Sequence, residues 1–149
     1  MHDEIDAQAE VLRYASGSHV DVEHGFINGT AFKPRASDDG KLSVNRLGVF
    51  SADPVEDLTT VRTVVAEWMT IRKSGRFAQI SLSAIQSAVA DAETSFSIEA
   101  DPLSDDKKPN DPSHCLITGV PAGEDDGAIA IRDMIAMSVS CLHEPVEKP

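Results

Sequence analysis

The stretch that decides the fold runs from residue 53 to residue 75 and reads DPVEDLTTVRTVVAEWMTIRKSG. Asp53 is a suitable N-cap and Pro54 a suitable first helical residue, because the first N–H groups of a helix have no partner within it. Carboxylates follow in the first turn, where the helix dipole favours negative charge. Two basic residues and then Gly75 mark the end. The stretch therefore predicts a helix at about residues 54–73.

The apolar residues of this helix recur at steps of three and four, which is the spacing of one buried helix face. We interpret its two largest members, Trp68 and Met69, as core residues rather than as ligand contacts. A second stretch, acidic at its start and with similar apolar spacing, predicts a final helix at about 123–142. The stripe of the first helix consists of Val55, Leu58, Val61, Val65, Trp68 and Met69.

Short apolar segments outside the two helices predict strands, because several of them alternate with polar residues. The clearest are residues 77–82, 95–100 and 115–120, and residues 42–44 form a shorter one. No repeat that would indicate a solenoid is visible. We therefore predict a single α+β domain over residues 1–149, with a small, mostly antiparallel sheet of about four or five strands packed by two main helices.

Three parts of the chain are predicted to lie outside this core. Residues 101–113 contain three prolines and almost no apolar side chain, which is typical of an exposed loop. Residues 1–20 show only a weak helical pattern, interrupted by Gly17. We expect this segment and residues 144–149 to be flexible ends.

The chain is strongly acidic, since its 149 residues include 13 Lys and Arg against 25 Asp and Glu and carry a formal charge of −12. Phosphate backbones and anionic membranes attract cations, so direct binding to nucleic acid or to a membrane is not expected. An acidic surface steers a protein toward a basic protein partner. An acidic protein can also imitate DNA, but many of these carboxylates lie in turns and first helical turns, where capping explains them.

The sequence also predicts the compartment. No window contains the roughly 18–20 uninterrupted apolar residues that a membrane-spanning helix needs. The start of the chain, residues 1–6, is acidic, whereas a signal peptide begins with a basic region. We therefore expect a cytoplasmic protein, in which Cys115 and Cys141 are free thiols that pack as small hydrophobic side chains.

Catalytic and metal-binding motifs are not recognisable in the sequence. His114 and Cys115 are neighbours, so in a strand they point to opposite faces and are poorly placed to share a zinc ion with Cys141 and His143. The Gly-x-Ser-x-Gly elbow of a Ser-His-Asp hydrolase is missing, and so are the Walker and Gly-x-Gly-x-x-Gly phosphate loops. We predict no catalytic residue, no metal and no cofactor.

A polar patch is predicted around residues 26–50, the only net basic part of the chain. Arginine offers paired donors to a carboxylate or phosphate, and Ser, Asn and His add orienting hydrogen bonds, so the patch could hold a nucleotide or an acidic peptide. The alternative is that Arg35 and Arg46 neutralise nearby carboxylates and that His114 caps a strand. The predicted ligand-binding residues are Lys33, Arg35, Ser43, Asn45, Arg46 and His114.

Three segments around these residues resemble a group of small uncharacterised bacterial proteins. They are Gly29–Arg35 (GTAFKPR), Asp39–Val44 (DGKLSV) and Asn110–His114 (NDPSH), the last of which precedes an apolar strand. In that group an AF.PR…LSV segment precedes a helix, and a P.H motif begins a strand. The resemblance covers about residues 25–120. It implies a bacterial or phage origin, a cytoplasmic location and an operon partner, and it implies no activity and transfers no functional residue.

Two functions follow from these observations. The first is an acidic cytoplasmic interaction protein that binds a basic partner protein, as an immunity, antitoxin or accessory component of an operon. The alternative is a small nucleotide-binding or transferase enzyme that uses Arg35, Ser43, Arg46 and His114. The alternative requires Arg35, Ser43 and His114 to converge around a concave surface.

Overall fold

The fold is α+β, as predicted, and the computed structural model describes residues 5–6, 8–90, 95–103 and 110–146, the side chain of Ser37 excepted. Among these residues, three α-helices accompany a six-stranded antiparallel sheet and a separate two-stranded sheet. The helices are α1 Pro54–Trp68, α2 Leu82–Ala88 and α3 Asp126–Met137. The strands are β1 Glu10–Ala15, β2 Val20–Asp21, β3 Phe26–Ile27, β4 Leu42–Arg46, β5 Arg76–Ser81, β6 Ser97–Ala100, β7 His114–Thr118 and β8 Cys141–His143.

The large sheet has the strand order β6-β7-β4-β1-β5-β8, so β1 lies at its centre. Strand β1 pairs with β5 along its full length, from Glu10 to Ala15. Its ladder with β4 is much shorter and contains only the pairs Val11–Arg46 and Leu12–Asn45. The C-terminal end of β1 and the N-terminal end of β4 are therefore not joined by ladder hydrogen bonds.

Helices cover both faces of this sheet and create two cores. On one face, inward residues of the strands pack with α2, α3 and the short 3-10 helix Gly29–Phe32. On the other face, Leu12 and Phe77 pack with Val61 and Val65 of α1. The sheet contains more strands than the four or five predicted, and the two main predicted helices are both present.

The start of α1 matches the sequence prediction, but its end does not. The Asp53 side chain accepts hydrogen bonds from the backbone N–H groups of Val55 and Glu56. The helix ends at Trp68 rather than at 73, because Met69 adopts an extended backbone conformation. The stop signal at Gly75 belongs instead to a turn closed by the bond from Gly75 N to Arg72 O, just before β5.

The last helix is also shorter than predicted. Helix α3 covers Asp126–Met137 instead of 123–142, and residues 141–143 form the edge strand β8 against β5. Val139 and Leu142 still pack against the main core, which explains why their spacing resembled a continued helix. Cys141 is exposed on β8, so the prediction that it packs in the core is wrong.

The predicted flexible start of the chain contains the central strand. Residues 10–15, within the segment 1–20, form β1, and Val11, Leu12 and Ala15 are at most 1% exposed. Because helices cover both faces, successive residues of β1 are buried and the strand lacks the alternation by which a half-buried strand is recognised. Of the other predicted flexible end, residues 147–149 lie outside the described residues.

The segment 101–113 is not exposed throughout. Residues 104–109 lie outside the described part of the chain. On either side, Leu103 and Asp111 form an antiparallel bridge, and Asp111 and Ser113 are fully buried. These polar residues can be buried because they form hydrogen bonds with one another and with other buried groups.

A helix that crosses a membrane must be both long and apolar. Not one of the helices in the described residues meets both requirements.

Candidate functional site

A polar cavity of about 860 Å³ lies beside the unpaired ends of β1 and β4. Residues of the segment 30–38, the end of α1, the residues that follow β6 and the first residue of β7 form most of the rest of its wall. Its charged and hydrogen-bonding side chains include both predicted and unpredicted residues. We call this cavity the cleft, and the side chains that matter most are Arg13, Lys33, Arg35, Ser43, Asp101 and His114.

The structure brings four of the six predicted ligand-binding residues to the cleft. Lys33, Arg35, Ser43 and His114 all line it, whereas Asn45 and Arg46 do not. Side chains alternate along a strand, so Arg46 lies on the opposite face of β4 from Ser43. Asn45 shares the face of Ser43, but it is buried and fully engaged with other residues.

The residues that engage Asn45 belong to a group of hydrogen-bonded side chains that we call the Asp111 cluster. It consists of Asn45, Trp68, Asp111 and Ser113. Asp111 Oδ2 accepts from Asn45 Nδ2 at 2.7 Å and from Trp68 Nε1 at 2.8 Å. Its Oδ1 accepts from the backbone N–H and the hydroxyl of Ser113, at 3.0 and 2.6 Å. Four hydrogen bonds thus satisfy a carboxylate that water does not reach. The cluster ties α1 and β4 to the start of β7, and Asn45 has a structural role in it.

Beside this cluster, Ser43, His114 and Asp101 form a linear chain of contacts that we call the relay. Ser43 Oγ lies 2.6 Å from His114 Nε2. On the other side of the ring, His114 Nδ1 lies 2.9 Å from the backbone oxygen of Asp101 and 3.1 Å from its carboxylate oxygen Oδ2. Both oxygens are acceptors, so Nδ1 carries a proton. In the neutral ring Nε2 is then unprotonated and accepts from the Ser43 hydroxyl.

His114 is held firmly in this orientation. The residue is 5% exposed, and the Trp68 indole meets its ring edge-on, with centroids 5.7 Å apart. The backbone N–H of Asp101 donates to the His114 carbonyl at 2.9 Å, so the two residues are also joined through the main chain. The imidazole is therefore fixed by packing on one side and by Asp101 on the other.

Arg13 supplies a buried positive charge next to Ser43. Its Nε donates to the carbonyl of Ala31 at 3.0 Å, and its Nη1 donates to the carbonyl of Ser43 at 2.8 Å. The second terminal nitrogen, Nη2, has no hydrogen-bond partner among the residues described. Burial lowers the pKa of Arg13 to about 10, with a further contribution from Arg35, so the group remains charged at neutral pH.

Lys33 and Arg35 also line the cleft, and they differ in whether they form an ion pair with a carboxylate. Lys33 forms an ion pair with Glu124, and its hydrogen bond lowers the pKa of that carboxyl. Arg35 is exposed and its side chain makes no ion pair or hydrogen bond with any described residue. Asp38 also lines the cleft, but it lies beyond ion-pair distance of Arg13 and Arg35.

The cysteines and histidines do not form a metal site in the described part of the chain. Cys115 is buried among apolar residues on the face of β7 opposite to His114, and burial raises its thiol pKa to about 11. Such a thiol is unreactive at neutral pH.

Sequence reasoning missed Arg13, Asp101 and the position of Trp68. Asp101 was assigned to an exposed loop, yet the pairing of β6 with β7 places it beside His114. The sequence predicts both strands from their hydrophobic patterns. Pairing them as a hairpin would have placed Asp101, which follows β6, beside His114 at the start of β7. Trp68 packs against the second core, as predicted, but it is only half-buried and also lines the cleft.

Comparison with known proteins does not add to this description. No protein-family model matches the chain, and no match was found among the curated proteins or the solved structures. The site is therefore interpreted from its own geometry.

Proposed function

We propose that the cleft binds a small anionic molecule through a carboxylate or phosphate group. The observation that supports this most strongly is the pair of arginines that line it. Arg13 and Arg35 are directed to one polar cavity, and neither is in ion-pair contact with a carboxylate of the described residues. Guanidinium groups offer paired N–H donors that match the oxygen atoms of such anions.

The arrangement of these donors favours binding at little entropic cost. Arg13 is already fixed by two backbone carbonyls, so a ligand need not order it. Ser43 and His114 also line the cleft and add hydrogen-bonding groups. Arg35 is exposed and is suited to meet the anion as it enters.

The charge of the chain favours a small ligand over a polyanion. At −12, the protein repels an extended phosphate backbone, while a molecule with one or two negative charges meets mainly the local field of the two arginines. This proposal agrees in part with the alternative function predicted from the sequence. Arg35, Ser43 and His114 line the cleft as that alternative requires, but the second arginine is Arg13 and not Arg46. A nucleotide remains one member of the proposed ligand class.

Binding can be followed by the fluorescence of Trp68, because it is the only tryptophan and it lines the cleft. We expect a saturable change on titration with inorganic phosphate, a nucleoside monophosphate or a dicarboxylate. Arg35→Ala should weaken the preferred ligand by about tenfold or more, since a hydrogen bond to a charged group contributes about 1.5–3 kcal/mol. Arg46→Ala is the matched control outside the cleft. Equal affinities of the two variants would contradict the proposal.

The predicted basic protein partner remains a second candidate function, supported by a separate apolar surface. Phe26 and Met137 are 58% and 82% exposed and line a groove of about 620 Å³ that also reaches β8. Asp21 and Glu23 are exposed next to the groove residue Val22. A basic segment with apolar side chains would match this combination, and we keep the cytoplasm as the proposed compartment.

This second candidate has its own test. A double variant, Phe26→Ser with Met137→Ser, should lose a bound basic protein that the unaltered chain captures at low salt and releases at high salt. Val55→Ser is the control, because Val55 is 74% exposed and lies on α1, away from the groove. Retention of the same partner by the double variant would exclude the groove as its binding site.

A further inference from the structure

Building on the proposed anion-binding function, we propose that Ser43 is a nucleophile activated by His114. The substrate class that fits is a small ester or thioester that carries a carboxylate or phosphate elsewhere in the molecule. The relay places a hydroxyl, a base and an orienting carboxylate in series, at 2.6 and 3.1 Å. This is the arrangement by which serine hydrolases of unrelated folds perform acyl transfer.

The first requirement of such a site is a base in the correct tautomer. His114 Nδ1 donates to Asp101, so the lone pair of Nε2 faces Ser43 Oγ. Because Trp68 and the backbone oxygen of Asp101 hold the ring, this orientation does not need to be created on substrate binding. His114 is the general base, and Asp101 is a positioning residue.

The second requirement is access to the nucleophile. Ser43 is half-buried and lines the cleft, so its hydroxyl is reached from the cavity while His114 is shielded behind it. The site has formed on strand β4 without a Gly-x-Ser-x-Gly elbow. Here the end of β4 that is not paired with β1 leaves one side of Ser43 open.

The third requirement is a positive group where negative charge develops. When Ser43 attacks a carbonyl carbon, the carbonyl oxygen becomes an oxyanion close to the nucleophile. Arg13 Nη1 is bonded to the backbone carbonyl of the same residue, and its Nη2 has no partner among the described residues. Arg13 therefore provides a positive charge at the backbone of Ser43 that forms no ion pair with a carboxylate of the described residues.

The chemical steps balance without a redox partner. The Ser43 hydroxyl proton moves to His114 Nε2 as the Oγ–carbon bond forms. The bond from the carbonyl carbon to the leaving alcohol or thiol then breaks, and His114 returns the proton to that leaving group. In the second half, water adds to the acyl carbon, gives its proton to His114, and displaces Ser43 Oγ, which recovers its proton. The sum is ester plus water giving carboxylic acid plus alcohol or thiol.

Substrate choice follows from the charges around the relay. Arg35 lines the same cavity and has no ion-pair partner among the described residues, so its guanidinium can bind a negative group of the substrate. A neutral ester has no such group and gains nothing from Arg35. We therefore expect an ester with a negative group to react faster than a neutral ester of similar reactivity.

The test uses the full chain with three chromogenic probes: p-nitrophenyl hemisuccinate, p-nitrophenyl acetate and p-nitrophenyl phosphate. The hemisuccinate also hydrolyses by itself, because its own carboxylate attacks the ester, so each rate is expressed relative to the uncatalysed hydrolysis of the same probe. On that scale we expect turnover of the anionic ester above that of the acetate, and a succinyl group on Ser43 that is located by peptide mapping after rapid quenching and is absent from Ser43→Ala. Ser43→Ala and His114→Gln should each reduce the rate by about a hundredfold or more, since a general base contributes about 10²–10⁴.

Asp101 has a distinguishable signature in the same assay. Asp101→Ala should lower kcat with little change in KM, and Asp101→Glu should restore part of kcat, because the carboxylate stabilises the positive charge that His114 gains when it takes the Ser43 proton. A loss caused only by altered folding would change KM and the fluorescence titration with phosphate as well.

Several outcomes would overturn the proposal. They are the absence of both turnover and a Ser43 adduct in the unaltered chain, an undiminished rate in Ser43→Ala, and reaction with the phosphate ester alone. If Arg35-dependent phosphate binding persists in any of these cases, the anion-binding function stands and only the nucleophile is excluded. If phosphate binding is also missing, both proposals fail.

Discussion

The Asp111 cluster and the relay lie side by side at the start of β7, but they differ in how fully their hydrogen-bonding capacity is used. Asp111 is fully buried and accepts four hydrogen bonds. The Asp101 side chain is 47% exposed, and within the described residues its carboxylate forms an ion pair or hydrogen bond only with the His114 ring. The saturated carboxylate of Asp111 joins α1 and β4 to the start of β7, whereas the carboxylate of Asp101 contacts an imidazole that lines the cleft together with the Ser43 hydroxyl.

The same contrast separates two residues of one strand. Ser43 and Asn45 lie on the same face of β4, two residues apart. Asn45 donates to Asp111 and Ser113 and has become part of the structure. Among the described residues, the Ser43 hydroxyl has a hydrogen bond only with the imidazole of His114, and Ser43 lines the cleft. Two polar residues that lie close together in the sequence therefore need not belong to the same site. Whether a polar side chain is available to a ligand depends on how many hydrogen-bond partners the fold gives it.

The largest expected effect concerns the Asp111 cluster. Asp111→Ala leaves the donors of Asn45 and Trp68 buried without an acceptor, so we expect a loss of about 3–5 kcal/mol in the free energy of unfolding. Asp101→Ala is the matched control and should cost less than about 1 kcal/mol, because that side chain is half exposed. Urea denaturation measures both. Similar losses would remove the distinction between the two clusters.

A smaller effect is expected in the reactivity of the thiols. Cys115 follows His114 directly, and burial raises its pKa to about 11, so its thiolate fraction at pH 8 is about a hundredfold below that of an ordinary thiol. A disulfide reagent should modify the exposed Cys141 quickly and Cys115 only on unfolding. In Asp111→Ala we expect Cys115 to react earlier. Rapid modification of both thiols in the unaltered chain would show that this end of β7 is not closed.

The smallest effect is expected at Lys33. This residue lines the cleft but is paired with Glu124, so Lys33→Met should weaken phosphate binding by less than about threefold, far less than Arg35→Ala.

The ion pair of Lys33 with Glu124 also makes a prediction about pH. The hydrogen bond from Lys33 lowers the pKa of Glu124, so the ionised carboxylate stabilises the folded state above its ordinary pKa. This contribution is lost as the pH falls through the lowered pKa. Titration by NMR should show the pKa of Glu124 rising in Lys33→Met.

Much of the fold could be predicted because the decisive signals were local. The N-terminus of α1 depends on Asp53 and Pro54 themselves, and the structure confirms the Asp53 cap. The ends of α1 and α3 depend on where β5 and β8 pair, which the neighbouring residues do not encode. Strand β1 was missed for a related reason, since burial on both faces removed its alternation.

The site was predicted only in part, because it depends on contacts between distant segments. The net basic segment drew attention to Arg35 and Ser43, which line the cleft, and His114 was recognised as a polar residue that begins a strand. Arg13 lay in a segment expected to be flexible, and Asp101 in one expected to be an exposed loop. Their roles arise from sheet pairing, so composition and motif searches could not reveal them.

The measurement that tests the account most directly is the tautomer of His114 in the full chain labelled with nitrogen-15. Long-range proton–nitrogen correlations of the imidazole distinguish the two nitrogens, and His114→Gln assigns its signals among the five histidines. The account predicts a proton on Nδ1 and an unprotonated Nε2 whose chemical shift changes in Ser43→Ala. A proton on Nε2 with a bare Nδ1 in the neutral ring would show that Asp101 does not orient the imidazole, and it would contradict the relay.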